Sequence, residues 1–224
     1  MSGLVLAADS SSFLWWDWVD DHYEEIWDRT VEHLQLTGTA LAIGFVTSVA
    51  LSIVALRYRP TYAPITWVTG LLYTIPSLAL FGFLLPITGF GTTTAVIGLV
   101  SYTLLILVRN IVAGVDGVPA AVKEAADGMG YTPWRRFVSV DLRLATPAIV
   151  AGLRVATVTT IGLVTVTVLI GAGGYGVLIN DGLSRNFSTP IVVGATLSVA
   201  MAIGFDLVLL GIERVLTPWA RRGR

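Results

Sequence analysis

Long uncharged stretches alternating with short polar ones set the pattern of this chain. Residues 34–56 carry no charge, and at about 1.5 Å per helical residue they reach across a hydrocarbon core of about 30 Å. Arg57, Arg59 and Pro60 close that stretch, and residues 60–108 are again free of charge. So long a run exceeds one crossing, and Thr88-Gly89-Phe90-Gly91 supplies the turn that divides it. The pattern predicts a second helix over 63–87 and a third over 92–113. Pro76 falls inside the second helix, where a missing backbone bond predicts a kink. Such a kink, with Ser77 beside it, fits either a helix lining a translocation path or ordinary packing.

Pro147 is predicted to open a fourth helix running to about residue 170, with Ala151, Gly152, Ala156 and Gly162 permitting close packing. The run Ile170-Gly-Ala-Gly-Gly-Tyr-Gly176 breaks it. Gly173 and Gly174 there are candidates for an outer gate, where backbones approach closely. Residues 177–189 read as a mildly polar connection. Pro190 is predicted to start a fifth helix ending near 216. The expectation is an all-α, five-transmembrane-helix bundle over 34–218, with a long polar loop at 114–146 and a basic tail at 219–224.

That loop has its own grammar. Pro119 is suited to a helix start, Ala120, Ala121, Ala125 and Ala126 favour helix, and Gly128 and Gly130 end it. Thr132-Pro133 is a second cap and first-turn pair, so another helix should run toward Leu144.

Composition confirms the membrane class. Of 224 residues, 13% are charged and 54% hydrophobic, against about 25% charged in soluble domains. The charge is uneven. Residues 1–33 hold eight carboxylates and one arginine, for a net −7, and the remainder nets +6. The opening twelve residues lack the basic start and long apolar run of a signal peptide. Trp15, Val19, Tyr23, Ile26 and Trp27 then fall on one helical face among carboxylates, predicting an amphipathic extracytoplasmic segment at the membrane surface. Its acidic face is either simply solvated or a place for a partner.

Orientation follows from the basic residues. With five spans, only Arg29 and Arg185 lie on one side; the other twelve Lys and Arg lie on or near the opposite side. The positive-inside rule therefore predicts an exterior N-terminus and a cytoplasmic loop and C-terminus.

Several chemistries are excluded. There is no cysteine, and both histidines, His22 and His33, precede the spans, so thiolate sites and a metal or proton-relay histidine cluster within the spans are absent. A P-loop needs Gly-Lys-Ser/Thr, and the single lysine, Lys123, sits between Val122 and Glu124. No catalytic constellation is present. A secondary transporter or channel would place several ionisable groups along the spans, and here only Arg154 and Asp206 qualify. Their depths above the inner end differ by only about 6 Å at helical rise, which predicts an interhelical ion pair. If unpaired, Asp206 becomes a candidate for the translocation path.

Glu124-Ala125-Ala126, three residues, Gly130, nine residues, then Val140-x-Leu142 resembles the "EAA" coupling loop of permease subunits in ATP-driven importers. Arg143 stands where that family has proline, which puts the exit angle of the loop at issue. Thr74-Ile-Pro-Ser-Leu-Ala-Leu-Phe81, Leu107-Val-Arg-Asn110, Ile170–Gly176 and Asp206…Glu213-Arg214…Thr217-Pro218 are similar to the permeases of osmoprotectant (glycine betaine, carnitine, choline) uptake systems. The resemblance implies the type I importer permease fold in a prokaryotic plasma (inner) membrane. It implies two ATPase subunits, a second permease copy or paralogue, and a separate extracytoplasmic binding protein. Lipid surrounds such a subunit, and nucleic acid is no partner. No cofactor is expected on this chain, since ATP and Mg belong to the ATPase. Glu124, Ala125, Ala126 and Gly130 would contact that ATPase. Another cargo (an amino acid, oxyanion or sulfonate) in the same architecture remains the alternative.

Overall fold

The computed structural model describes residues 14–221. The opening twelve residues, read above for a signal peptide, and residues 222–224 of the basic tail lie outside the described residues. The elements are α1 (Trp16–Asp21), α2 (Tyr23–Arg57), α3 (Tyr62–Thr74), α4 (Ser77–Thr88), α5 (Thr92–Asp116), α6 (Ala120–Gly128), α7 (Pro133–Arg136), α8 (Leu142–Val164), α9 (Tyr175–Arg185) and α10 (Ser188–Leu216). Short 3₁₀ turns lie between several of them, and a π-helical stretch, Phe137–Asp141, joins α7 to α8.

Four helical runs are long and apolar enough to cross a membrane: α2, α5, α10, and the continuous Pro133–Val164 that contains α8. The bent α3–α4 pair brings the number to five if it counts as one span. α5 is the hub, packed against α2, α8, α3 and α4, and α10 covers α8 and α9. Burial follows that order: 56% of the most apolar stretch of α5 is inside the bundle, against 11% for α10, which leaves α10 at the periphery.

Small residues set the packing distances, because lipid supplies no hydrophobic drive between helices. α2 buries Thr37, Ala40, Gly44, Ser48, Ser52 and Ala55, a stripe at spacings of three and four. A Cβ on Gly44 would lie 2.1 Å from Thr103 Oγ1 of α5, and one on Gly98 of α5 would lie 2.4 Å from the Phe81 ring. Gly152 of α8 receives Asn110 of α5 in the same way.

Five sequence expectations are corrected. Pro76 does not kink one helix over 63–87. α3 stops at Thr74, Ile75 is extended (ψ 128°), and α4 leaves at 100°. The residue before proline is sterically pushed out of the helical region, and the Tyr102 hydroxyl donates to the Ile75 carbonyl that the break frees. Pro147 does not open the fourth helix. It lies inside α8, which enters without interruption from Pro133 through the π-helical stretch. Arg143 retains the N–H that the expected proline lacks, so no break occurs there. The fourth helix ends at Val164 rather than near 170, where a 3₁₀ turn (Thr167–Ile170) takes over. The connection at 177–189 is largely helical, as α9, with Asn186 in the left-handed conformation before α10. Finally, the N-terminal segment is not one amphipathic helix. His22 (φ −114°, ψ 19°) separates α1 from α2, and α2 then runs 35 residues without a break. Tyr23 and Trp27 are exposed, whereas Trp15 and Trp18 pack edge-on against Phe187 at the α9–α10 corner.

Candidate functional site

The polar loop is built as two short helices on a fixed base. Pro119 caps α6 with extended backbone (ψ 137°), and Ala126 is its one buried residue. Glu124 and Ala125 face outward. Gly130 ends the turn at φ +80°, with its amide donating to the Asp127 carbonyl and that of Tyr131 to Ala126. A Cβ on Gly130 would meet nothing within 4 Å, so this glycine is required by conformation and not by space. Thr132 caps α7 as its sequence predicts, its hydroxyl accepting from the Arg135 amide. The exposed side then shows Val122, Met129, Trp134 and Val138, an apolar surface beside the Glu124 carboxylate.

Three polar contacts hold this loop to the bundle. Lys123 Nζ donates to the Val115 carbonyl at the end of α5 (3.1 Å). Arg136 bridges Asp127 of α6 (2.5 Å) and Asp141 of the π-helical stretch (3.6 Å). Arg59 grips Asp116 with two hydrogen bonds, which raise the pKa of its guanidinium further. A cavity of about 380 Å³ lies beneath, between the end of α2 (Ile53, Leu56, Arg57) and Trp134 and Phe137 of the loop.

The path candidates occupy three separate environments. Pro76 and Ser77 form the α3–α4 corner, fixed by Tyr102. Gly173 and Gly174 lie under the N-terminal part of α2. There the Glu32 carboxylate accepts from the Gly174 amide (2.9 Å), and His33 Nδ1 accepts from that of Tyr175 (3.3 Å). His33 is fully buried and donates through Nε2 to the Ile161 carbonyl (3.1 Å). The Tyr175 hydroxyl meets Thr30, and the Gly91 amide donates to Ile170. The N-terminus of α9 is therefore capped from another helix, because Gly174 (φ +91°) has no side chain of its own to do it.

Asp206 is in the third environment. Arg154 of α8 reaches it with Nε and Nη2, both at 2.8 Å. The same guanidinium has Glu213 at 3.6 Å, so one cation serves two carboxylates. Sequence reasoning missed Glu213, Glu32 and His33. The signal for Glu213 was its place seven residues after Asp206, two turns along the same face. For Glu32 and His33 it was two polar residues directly against an apolar span.

These features define a polytopic membrane protein with a projecting polar loop. The chain belongs to the family described as binding-protein-dependent transport system inner membrane component, matched over residues 36–222. It is 35% identical over 194 residues to the osmoprotectant import permease protein OsmW of Salmonella typhimurium, covering 84% of this chain and 90% of that one. It is also 35% identical to the choline transport system permease protein OpuBB of Bacillus subtilis (87% and 89% covered). The glycine betaine/carnitine/choline transport system permease protein OpuCB of the same organism is 33% identical (89% and 92%). Among solved structures, the inward-facing MetNI methionine ABC transporter superposes with a TM-score of 0.75 at 20% identity, covering 86% of this chain and 96% of that one. An amino acid ABC transporter with histidines gives 0.73 at 16% (90% and 98%). The fold is that of type I ABC importer permeases. The family works with ATPase and binding-protein partners.

Proposed function

We propose that this chain is the membrane-spanning subunit of an ATP-driven importer for a quaternary-ammonium compatible solute such as choline, carnitine or glycine betaine. The family supports the importer reading, and the substrates for which the relatives are named support the cargo. The observation that carries the coupling step is α6. Its outer face presents Glu124 and Ala125 beside Val122, with Met129 just after its end, and it is tied to α5 by Lys123 and, through Asp127 and Arg136, to Asp141 of the π-helical stretch ahead of α8.

In this reading the loop and the C-terminus face the cytoplasm, as the twelve-to-two distribution of basic residues predicts. Two ATPase subunits bind the loops of two permease copies (or of this chain and a paralogue), and a separate binding protein delivers solute outside. ATP hydrolysis belongs to the ATPase. Closure of the ATPases moves α6 as a body, and the Asp127–Arg136–Asp141 bridge passes that movement to α8. Rocking of the two halves then opens the path on one side at a time. Arg154 and Asp206 keep α8 and α10 together during that motion, so the cavity between the halves changes shape without the helices parting.

Uptake of labelled choline and glycine betaine in cells deleted for this chain alone tests the cargo. The expected result is loss of ATP-dependent uptake, restored by the gene in trans. Unchanged uptake of both solutes, with loss of amino acid or oxyanion uptake instead, would assign the importer a different cargo.

A further inference from the structure

The cavity of about 380 Å³ beneath the polar loop is lined by four basic side chains, Arg57, Arg59, Lys123 and Arg136, and by one carboxylate, Asp141. Arg59 and Arg136 are engaged by Asp116 and Asp127, which stand outside the lining. Setting all three carboxylates against the four cations still leaves a positive surplus. Lys123 and Arg57 carry it. Lys123 meets a backbone carbonyl, and the exposed Arg57 meets the Tyr58 ring at 5.4 Å and no carboxylate among the described residues. Arg136 Nε and Asp141 Oδ1 are both buried without a hydrogen-bond partner, so the chain does not satisfy this lining by itself. A second cavity, of about 270 Å³, shares Ile53, Leu56 and Phe137 with the first and so adjoins it. Its lining includes Phe45, Val49, Ile111 and Ile149 and no ionisable side chain. Phe45 lies twelve residues before Arg57 on the same helix, about 18 Å along its axis. Together they form an apolar slot that runs into the bundle from a basic mouth, at the point where the uncharged stretch of α2 ends.

We propose that the two cavities together hold one anionic phospholipid, with its phosphate diester at Arg57 and Lys123 and one acyl chain in the slot. Charge selects the head group. A zwitterionic lipid brings a cation of its own to a mouth that already carries surplus positive charge, whereas a lipid of net negative charge is attracted there. The Arg57 guanidinium can present two parallel N–H donors to a phosphate, a geometry that suits a planar fork. Trp134, exposed beside the mouth, is the residue type that settles at headgroup level. A free phosphate ester answers the charge but leaves the slot empty, and a neutral lipid fills the slot but leaves the charge unanswered. The anionic lipid matches both. Held there, it touches the end of α2 together with Trp134 of α7 and Phe137 of the π-helical stretch, and so fastens the polar loop to the membrane. The site depends on the membrane fold alone and not on the importer reading or its cargo.

The test is native mass spectrometry of the full chain released from detergent micelles that contain increasing phosphatidylglycerol or phosphatidylcholine. Saturable retention of phosphatidylglycerol is expected, with phosphatidylcholine retained more weakly. Arg57→Gln should weaken that retention about fivefold, the factor for one basic residue beside an anionic lipid surface. Arg57 makes no ion pair among the described residues, so this variant should keep the native unfolding temperature. Ile53→Trp, which narrows both cavities from an exposed position, should reduce retention as well. Soluble glycerol 3-phosphate supplies the head group without a tail and should not compete. Equal retention of the two lipids, binding that rises without saturating, or unchanged retention in either variant overturns the site. Displacement by glycerol 3-phosphate would make the ligand a soluble phosphate ester and overturns the lipid.

Discussion

Gly173 and Gly176 lie three residues apart and are restrained by different kinds of neighbour. A Cβ on Gly173 would meet the Glu32 carboxylate, the end of a flexible side chain, at 2.0 Å. One on Gly176 would lie 2.1 Å from the Thr165 carbonyl oxygen, which is backbone and cannot swing aside. Gly176→Ala should therefore destabilise the bundle by about 1–3 kcal/mol, the usual cost of forcing atoms into a packed site. Gly173→Ala should cost less, through partial loss of the Glu32 cap on Gly174. Thermal unfolding in detergent compares the two, and equal losses would contradict this ranking. Arg154 gives a second prediction at this scale. With Glu213 also in reach, Arg154→Met strands two carboxylates, whereas Asp206→Leu leaves the arginine a partner. Thermal stability should fall further in Arg154→Met than in Asp206→Leu, and the reverse order would show that Glu213 shares nothing with Arg154. The Arg154–Asp206 approach was legible from two ionisable residues at similar depth in antiparallel helices. The third member was not, because a carboxylate near a helix end reads as interfacial until its neighbours are known.

Among the elements, the helices that follow from uninterrupted apolar length were legible, and those that depend on punctuation were not. α5 and α10 lie close to their predicted spans because nothing inside them competes with helix. Pro76 and Pro147 reversed their predicted roles. At Pro76 the extended Ile75 and the waiting Tyr102 hydroxyl turn a kink into a 100° corner. At Pro147 the helix was already under way from Pro133, so proline costs it one bond and does not stop it. α9 was hidden because Gly174 caps it with help from Glu32, some 140 residues earlier, and local sequence carries no trace of that partner. The polar loop was the most legible part, since Pro119, Gly130 and Thr132-Pro133 each act within three or four residues. What sequence could not show is how α6 is fastened. Arg136 joins Asp127 to Asp141, whose carboxylate is buried with Oδ1 unpartnered. Arg136→Gln should leave the ATPase bound but reduce transport per ATP about twofold to thirtyfold, the factor for about 0.5–2 kcal/mol of lost coupling. Co-purification with the ATPase together with a transport-to-hydrolysis ratio checks this. An unchanged ratio would release Arg136 from any part in coupling.

Across the whole molecule, charge and burial divide the chain into three levels. Carboxylates crowd the N-terminal face, an apolar bundle centred on α5 occupies the middle, and basic residues surround the loop at the other end. Under the proposed function the bundle is a lever between two surfaces, with α6 as the point where force enters. The most direct measurement is ATP-driven uptake of labelled choline into liposomes holding the complete complex, recorded alongside ATP hydrolysis for the native chain and for Glu124→Arg. Glu124 is exposed and outside the bundle packing, so the variant should insert and unfold like the native chain. Uptake should fall at least about tenfold, as expected when a charge is reversed at a docking surface, and the hydrolysis stimulated by the binding protein should be lost with it. Native uptake and native stimulation in Glu124→Arg would contradict the claim that this loop couples the bundle to the ATPase.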